Sequence, residues 1–216
     1  VRPELVIFDC DGVLVDTEVA TCTVISRNLA EYGLDLSPTE CLGLFVGGTI
    51  YSACEEARRR GADLADGWVD EMYAQIFDTL RAGVRVLPGI PEVLARLKAL
   101  DIPDCVASNG PPEKMQVSLG PSGLWDHFDG RIWSPHTHGP AKPDPGLLLM
   151  AAEHFGVDPA ACVMIDDSPA GVIAAQKAGI RAIGFDENGA LGRVSGMGAE
   201  VIEHIDALHD LLSLTP

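Results

Sequence analysis

Short apolar runs that stop abruptly at polar residues limit what this chain can become. Leu5-Val6-Ile7-Phe8 gives way to Asp9 and Asp11, Cys105-Val106-Ala107 to Ser108 and Asn109, and Cys162-Val163-Met164-Ile165 to Asp166 and Asp167. Ala182-Ile183-Gly184-Phe185 is a fourth run. Continuous apolar runs of this length suit strands buried on both faces. Helical patterns lie between them, from Leu147 to Phe155 and from Ala170 to Ala178, the second closed by Gly179 as a C-cap. This alternation predicts an α/β fold: a doubly wound, mostly parallel sheet with helices on both sides. Ligands of such sheets sit beyond the carboxyl ends of the strands. Three strands are therefore expected to deliver acids, a hydroxyl and an amide to one edge.

From about Thr17 to Arg85 the alternation breaks. Helical periodicity over Ala20 to Tyr32, Pro38 to Leu44, Ile50 to Arg60 and Trp68 to Leu80 predicts an inserted helical domain over residues 17–85, with 1–16 and 86–216 as the core. Its hinges are expected at Val13 to Asp16 and at Arg85 to Pro88, ahead of Gly89 and a helix from Pro91 to Leu100. Later signals predict a helix start at Pro112-Glu113, an Asp144 N-cap with Pro145 at the first helical position, a weak helical turn over Leu191 to Val194, and a terminal amphipathic helix from Ile205 to Leu212.

With 216 residues the chain can bury a sizeable core and carry one small accessory domain. No uninterrupted apolar run approaches the roughly 18 residues of a bilayer span, so no membrane association is expected. The first strand meets acid too soon for a secretory h-region, which predicts a cytoplasmic protein. A formal charge of −17 argues against binding to a phosphate backbone, because nucleic-acid affinity depends on clustered Lys and Arg. An acidic protein that handles phosphate must bring positive charge to it locally, by a metal, a lysine or helix amides. Cys10, Cys22, Cys41, Cys54, Cys105 and Cys162 are scattered without C-x-x-C pairs, which suits buried free thiols in a reducing compartment.

The sharpest chemical feature is Asp9-Cys10-Asp11-Gly12-Val13-Leu14-Val15-Asp16-Thr17 directly after a buried strand. Acids at i and i+2 point to one side if strand geometry persists, and Gly12 lets the backbone turn away. Two carboxylates that close repel each other, and a divalent cation with oxygen ligands is the natural compensation. Asp166 and Asp167, at another strand end, supply more such ligands. Ser108 and Asn109 precede Gly110-Pro111-Pro112-Glu113, where a hydroxyl, an amide and helix N–H groups make an anion seat. Lys142 lies in Gly139-Pro140-Ala141-Lys142-Pro143-Asp144-Pro145, a stiff loop able to aim one ammonium.

Together, Asp9-x-Asp11-Gly12-Val13, Ser108-Asn109, Lys142-Pro143 and Asp166-Asp167-Ser168 stand in the order of the four motifs of the haloacid dehalogenase superfamily, which the chain resembles over almost its whole length. The resemblance implies a Rossmann-like core with a helical cap and a magnesium-dependent hydrolase acting on small phosphorylated metabolites. Asp9 matches the nucleophile that becomes an aspartyl-phosphate, and Asp11 the acid and base. Ser108 and Lys142 match the residues that hold the transferring phosphoryl group, with Lys142 also tethering Asp9, and Asn109 joins them at the substrate. Asp166 and Asp167 match the metal acids, alongside the Asp9 carboxylate and the Asp11 backbone carbonyl.

The Asp16-Thr17-Glu18 hinge is similar to the β-phosphoglucomutase and phosphoglycolate phosphatase branch. Ser108-Asn109-Gly110-Pro111 with Lys114-Met115, and Asp166 to Gly171, are similar to bacterial phosphatases acting on sugar and sugar-acid phosphates such as 6-phosphogluconate. Asp11 favours phosphate esters, since dehalogenases and phosphonoacetaldehyde hydrolases lack that acid. In the cap, Gly47 matches the glycine of a loop that helps choose the substrate. Phe45 and Val46 stand where mutases place an Arg, which argues against mutase activity. A β-phosphoglucomutase-like phosphotransferase stays the first alternative, and a non-enzymatic phosphoacceptor domain a distant one. The sequence sets neither the physiological ester nor an oligomeric state.

Several features invite function without earning it. His136 and His138 form an H-x-H in a Pro-rich loop with no third ligand nearby. Arg58 to Arg60 end a helix, where cations meet the dipole favourably. Cys10 and the three tryptophans are expected to pack in the interior.

Overall fold

A computed structural model describes residues 2–45, 50–189 and 192–214, without the side chain of Asn188. The chain divides into two compact units, Val1–Val15 with Val86–Pro216 and Asp16–Arg85. The boundary falls at Asp16, one residue ahead of the expected 17.

β1 (Leu5–Phe8) opens the first unit. The second unit follows with α1 (Thr17–Glu31), α2 (Pro38–Phe45), α3 (Ile50–Arg59) and α4 (Trp68–Arg81). Its two ends are pinned together: Asp16 caps α1 by accepting from Val19 N at 3.2 Å, and its other oxygen pairs with Arg85 at 2.8 Å. Inside, buried Trp68 donates its indole N–H to Asn28 at 2.7 Å, so both polar groups are satisfied away from water.

The chain returns to the first unit through α5 (Ile90–Ala99), β2 (Asp104–Ala107), α6 (Pro112–Leu119), α7 (Leu124–His127), β3 (Ile132–Trp133), α8 (Gly146–Phe155), β4 (Cys162–Asp166), α9 (Pro169–Ala178), β5 (Arg181–Phe185), β6 (Glu200–Ile202) and α10 (Leu208–Leu211). Among the described residues the six strands form one sheet, all parallel, in the order β3-β2-β1-β4-β5-β6. This is the doubly wound order, and it reverses around β1.

Burial on both faces explains the unbroken apolar runs. Leu5, Ile7, Cys105, Ala107, Cys162 and Met164 turn one way, against Leu147, Leu148, Ala151 and Ala152 of α8 and Ala174 and Ala175 of α9. Phe8 turns the other way, with its ring 6.4 Å from that of Phe128. Alternation along each strand thus feeds two cores at once.

Some local expectations are corrected. Asp144 does accept a capping bond from the Gly146 N–H at 2.8 Å, but the helix begins at Gly146 rather than Pro145. Gly192 to Val194 form no helix, and Leu191 lies outside the described residues. The terminal segment is a 3-10 turn, Ile205–Ala207, followed by the short α10. Among the described residues no helix is long and apolar enough to cross a membrane.

A candidate active site at the carboxyl edge of the sheet

The register of the central strands sets the floor of the site. Phe8 of β1 pairs with Ile165 of β4, so the next residues, Asp9 and Asp166, emerge side by side. Lys142 joins them from the loop before α8: its Nζ lies 2.7 Å from Asp9 Oδ1 and 2.6 Å from Asp166 Oδ2. All three side chains are buried, at 3% exposure for Lys142, 10% for Asp9 and 1% for Asp166.

That lysine is aimed by its backbone. Asn109, after β2, donates from Nδ2 to the Lys142 carbonyl at 2.9 Å and accepts the Lys142 N–H at 2.8 Å on Oδ1. The expected substrate amide therefore serves as a two-point brace for the loop. Ser108 beside it is buried, with Oγ accepting from Gly110 N at 3.3 Å.

Asp166 is the most constrained acid. Its Oδ1 accepts from the Ser168 N–H at 2.9 Å and the Ser168 hydroxyl at 2.6 Å, while Oδ2 takes Lys142. Ser168 also caps α9 by accepting from Gly171 N at 3.2 Å. A Cβ on Gly171 would lie 1.8 Å from Asp166 Oδ2, so α9 can pass the acid only where no side chain stands. Gly12 makes the matching approach from β1: its φ is +78°, and a Cβ there would lie 2.5 Å from Asp167 Oδ2.

The rim is built differently. Strand geometry ends at Phe8, so Asp11 does not follow Asp9 into the cluster as strand alternation would place it. It bridges to Val15 across the Gly12 turn, and its Oδ2 meets Lys114 Nζ of α6 at 2.7 Å. Asp167 receives Arg193 at 3.2 Å. Arg193 follows β5 in a loop that carries no sequence signal for the site. Lys114 was visible only as part of a motif likeness.

Charge across the floor and the adjoining rim acid Asp167 is unbalanced toward the acids. Carboxylate oxygens of Asp9, Asp166 and Asp167 lie within 4.8 Å of one another, facing Lys142 and Arg193. Burial is the largest influence on Asp9 and pushes its carboxyl up to about 7, with Asp166 and Asp11 adding to the rise and Lys142 opposing it. Burial also works against the Lys142 charge, yet Asp166 and Asp9 outweigh it and hold its pKa above the usual lysine value. An all-oxygen set of this kind, short of positive charge, fits a hard divalent cation.

A family model, haloacid dehalogenase-like hydrolase, matches residues 3–179. The chain belongs to this family. A 6-phosphogluconate phosphatase of Escherichia coli (strain K12) is 34% identical over 189 residues, which cover 85% of this chain and 83% of that protein. A haloacid dehalogenase family hydrolase from Deinococcus radiodurans R1, solved with bound phosphate and sodium, is 28% identical, with a TM-score of 0.87 over 99% of this chain and 96% of that one. A β-phosphoglucomutase from Clostridium difficile shares the fold at 21% identity, with a TM-score of 0.72 over 99% and 97% of the two chains.

This haloacid dehalogenase-like chain is a phosphoric monoester hydrolase. Other polar clusters have local roles. His138 Nδ1 lies 2.8 Å from Thr137 Oγ1 in its own loop, and Arg59 and Arg60 both pair with Glu56 one turn back. All six cysteines are free and buried. Gly47 and Val46 lie outside the described residues, while Phe45 is a buried residue ending α2.

Proposed function

We propose that the protein hydrolyses monoesters of small phosphorylated metabolites, sugar or sugar-acid phosphates, with Asp9 as nucleophile and magnesium as cofactor. What carries this reading is the Lys142 ammonium held between Asp9 and Asp166 at the carboxyl edge of β1 and β4. An attacking carboxylate and an anionic phosphate at about 4 Å repel by roughly 4 kcal/mol per charge pair at an effective dielectric of 20. Lys142 brings one positive charge to the point where that repulsion arises, and the surplus of acids there calls for a cation as well. Asp9, Asp166, Asp167 and the Asp11 backbone carbonyl would hold the cation, which supplies Lewis-acid neutralisation of the phosphoryl oxygens.

In the proposed first step an Asp9 oxygen attacks phosphorus, the ester P–O bond breaks, and Asp11 gives its proton to the leaving alkoxide. Aspartyl-phosphate remains. Asp11 then takes a proton from water as that water attacks phosphorus, and Asp9 leaves as carboxylate with inorganic phosphate. Ser108 and Lys142 would hold the equatorial oxygens on which charge spreads. Asn109 supports this by bracing Lys142. The helical unit is proposed as the cap, Gly47 as a residue of its substrate-choosing loop, and the cytoplasm as the setting that suits six free thiols.

Phosphatase is favoured over mutase because Phe45 and Val46 offer no cation for a second phosphate. The test is phosphate release across sugar phosphates, sugar acids such as 6-phosphogluconate, phosphoglycolate and nucleotides. Chelation should stop release and magnesium restore it. A parallel incubation of β-glucose 1-phosphate with trace 1,6-bisphosphate separates the activities: isomer forming much faster than free phosphate would overturn the phosphatase reading.

A further inference from the structure

Lys114 has no place in that mechanism, yet its position requires explanation. It is the third residue of α6, in the first turn, where the helix dipole favours acids and disfavours a cation. Ordering a lysine side chain also costs rotamer entropy. Against both costs, its ammonium lies 2.7 Å from Asp11 Oδ2, with the two side chains 27% and 22% exposed. Its stem passes Gly110, whose added Cβ would lie 3.9 Å from Lys114 Cδ and 3.7 Å from Asp11 Oδ2.

Asp11 is the carboxyl that this contact grips. It stands past the end of β1 on the Gly12 turn, outside the ladder that fixes Asp9 and outside the three-acid cluster. General acid catalysis requires the proton-bearing oxygen to meet the leaving group at about 2.6–3.2 Å. A cation gripping one oxygen of the carboxyl narrows the torsions over which the other oxygen can meet that condition.

We propose that Lys114 is a positioning residue that grips the Asp11 carboxyl and aims it at the leaving-group oxygen. The proposal rests on the reading of Asp11 as the acid and base given above. It confines the effect of Lys114 to steps in which Asp11 moves a proton. The lysine itself forms and breaks no bond, and touches neither phosphorus nor the metal.

Leaving-group chemistry makes this testable. The ratio kcat/KM reports formation of the aspartyl-phosphate, and a sugar alkoxide needs a proton to depart in that step whereas p-nitrophenolate does not. The experiment compares kcat/KM for the sugar or sugar-acid phosphate turned over fastest with that for p-nitrophenyl phosphate. The proteins are wild type, Lys114→Met, Lys114→Arg, Asp11→Asn and the Lys114→Met/Asp11→Asn double variant, each checked for a native circular dichroism spectrum. Lys114→Met is expected to lower the sugar-ester value by about 10- to 100-fold, below the roughly 10²- to 10⁴-fold scale of a lost general acid, and the aryl-ester value by less than about threefold. Lys114→Arg should recover most of the loss. The double variant should be no slower than Asp11→Asn, because two residues acting through one proton do not add.

Equal losses on both esters, or additive losses in the double variant, would overturn the proposal and make Lys114 a substrate or structural contact. If Lys114→Met fails to fold, Lys114→Arg decides: retention of the leaving-group selectivity of wild type supports the proposal, and a uniform loss on both esters overturns it. If Asp11→Asn shows no leaving-group selectivity, the underlying reading of Asp11 falls, and the role of Lys114 with it. If Asp11→Asn is selective and Lys114→Met is not, only the Lys114 proposal falls.

Discussion

The floor and the rim of the site use the same chemistry, a lysine on an aspartate, with opposite consequences. At the floor Lys142 is buried between two acids, and two of the three groups are held again: Asp166 by Ser168, the Lys142 backbone by Asn109. At the rim Lys114 meets Asp11 across a gap where both are about a quarter exposed. Low dielectric makes an unpaired floor charge costly, so removing one partner there is expected to cost stability. Solvent screens the rim, so its pair contributes little to stability and is open to serve chemistry.

Paired variants sharpen or break this contrast. The largest expected effect is on turnover. Asp9→Asn should lower phosphate release by more than about 10³-fold, since an amide is no nucleophile, while Asp11→Asn should cost roughly 10²- to 10⁴-fold on alkyl esters. Asp9→Asn activity within tenfold of wild type would remove it from the nucleophile's role. Next comes stability, followed by urea unfolding in chelator. Lys142→Met should cost about 3–5 kcal/mol by leaving two buried acids without their cation, against about 0–1 kcal/mol for Lys114→Met. Similar losses for the two would erase the distinction between floor and rim.

Two glycines give the smallest and most local comparison. Gly171→Ala would place Cβ 1.8 Å from an Asp166 oxygen, whereas at Gly110 the nearest atoms stand at 3.7 Å, an ordinary contact. Gly171→Ala should destabilise by about 1–3 kcal/mol and displace the acid, with weakened metal affinity by calorimetry. Gly110→Ala should change stability by no more than about 0.5 kcal/mol. A tolerated Gly171→Ala with unchanged metal binding would show that α9 yields more easily than close packing allows.

Asp9, Ser108 and Asp166 were legible in the chain because each sits at the end of a pattern with a physical cause: a strand buried on both faces must be apolar throughout and then stop. The same cause made β1, β2, β4 and β5 visible. Lys142, in a loop, was legible only through the prolines around it and the order of the motifs. Local patterns were silent where the cause is distant. The two residues of β3 and the three of β6, with only Ile202 of β6 buried, are too short to establish a period. Asn109 looks like any residue after a strand until the loop 33 positions later lays the Lys142 backbone against it. Arg193 reads as a loop cation until the turn after β5 carries it to Asp167. Sequence alone determined the sheet, its ligand edge and the types of group that meet there, because burial imposes periodicity on neighbouring residues. Only the tertiary structure decided which cation holds which acid, because those pairs depend on the paths of separate loops, and no local periodicity encodes where two loops meet.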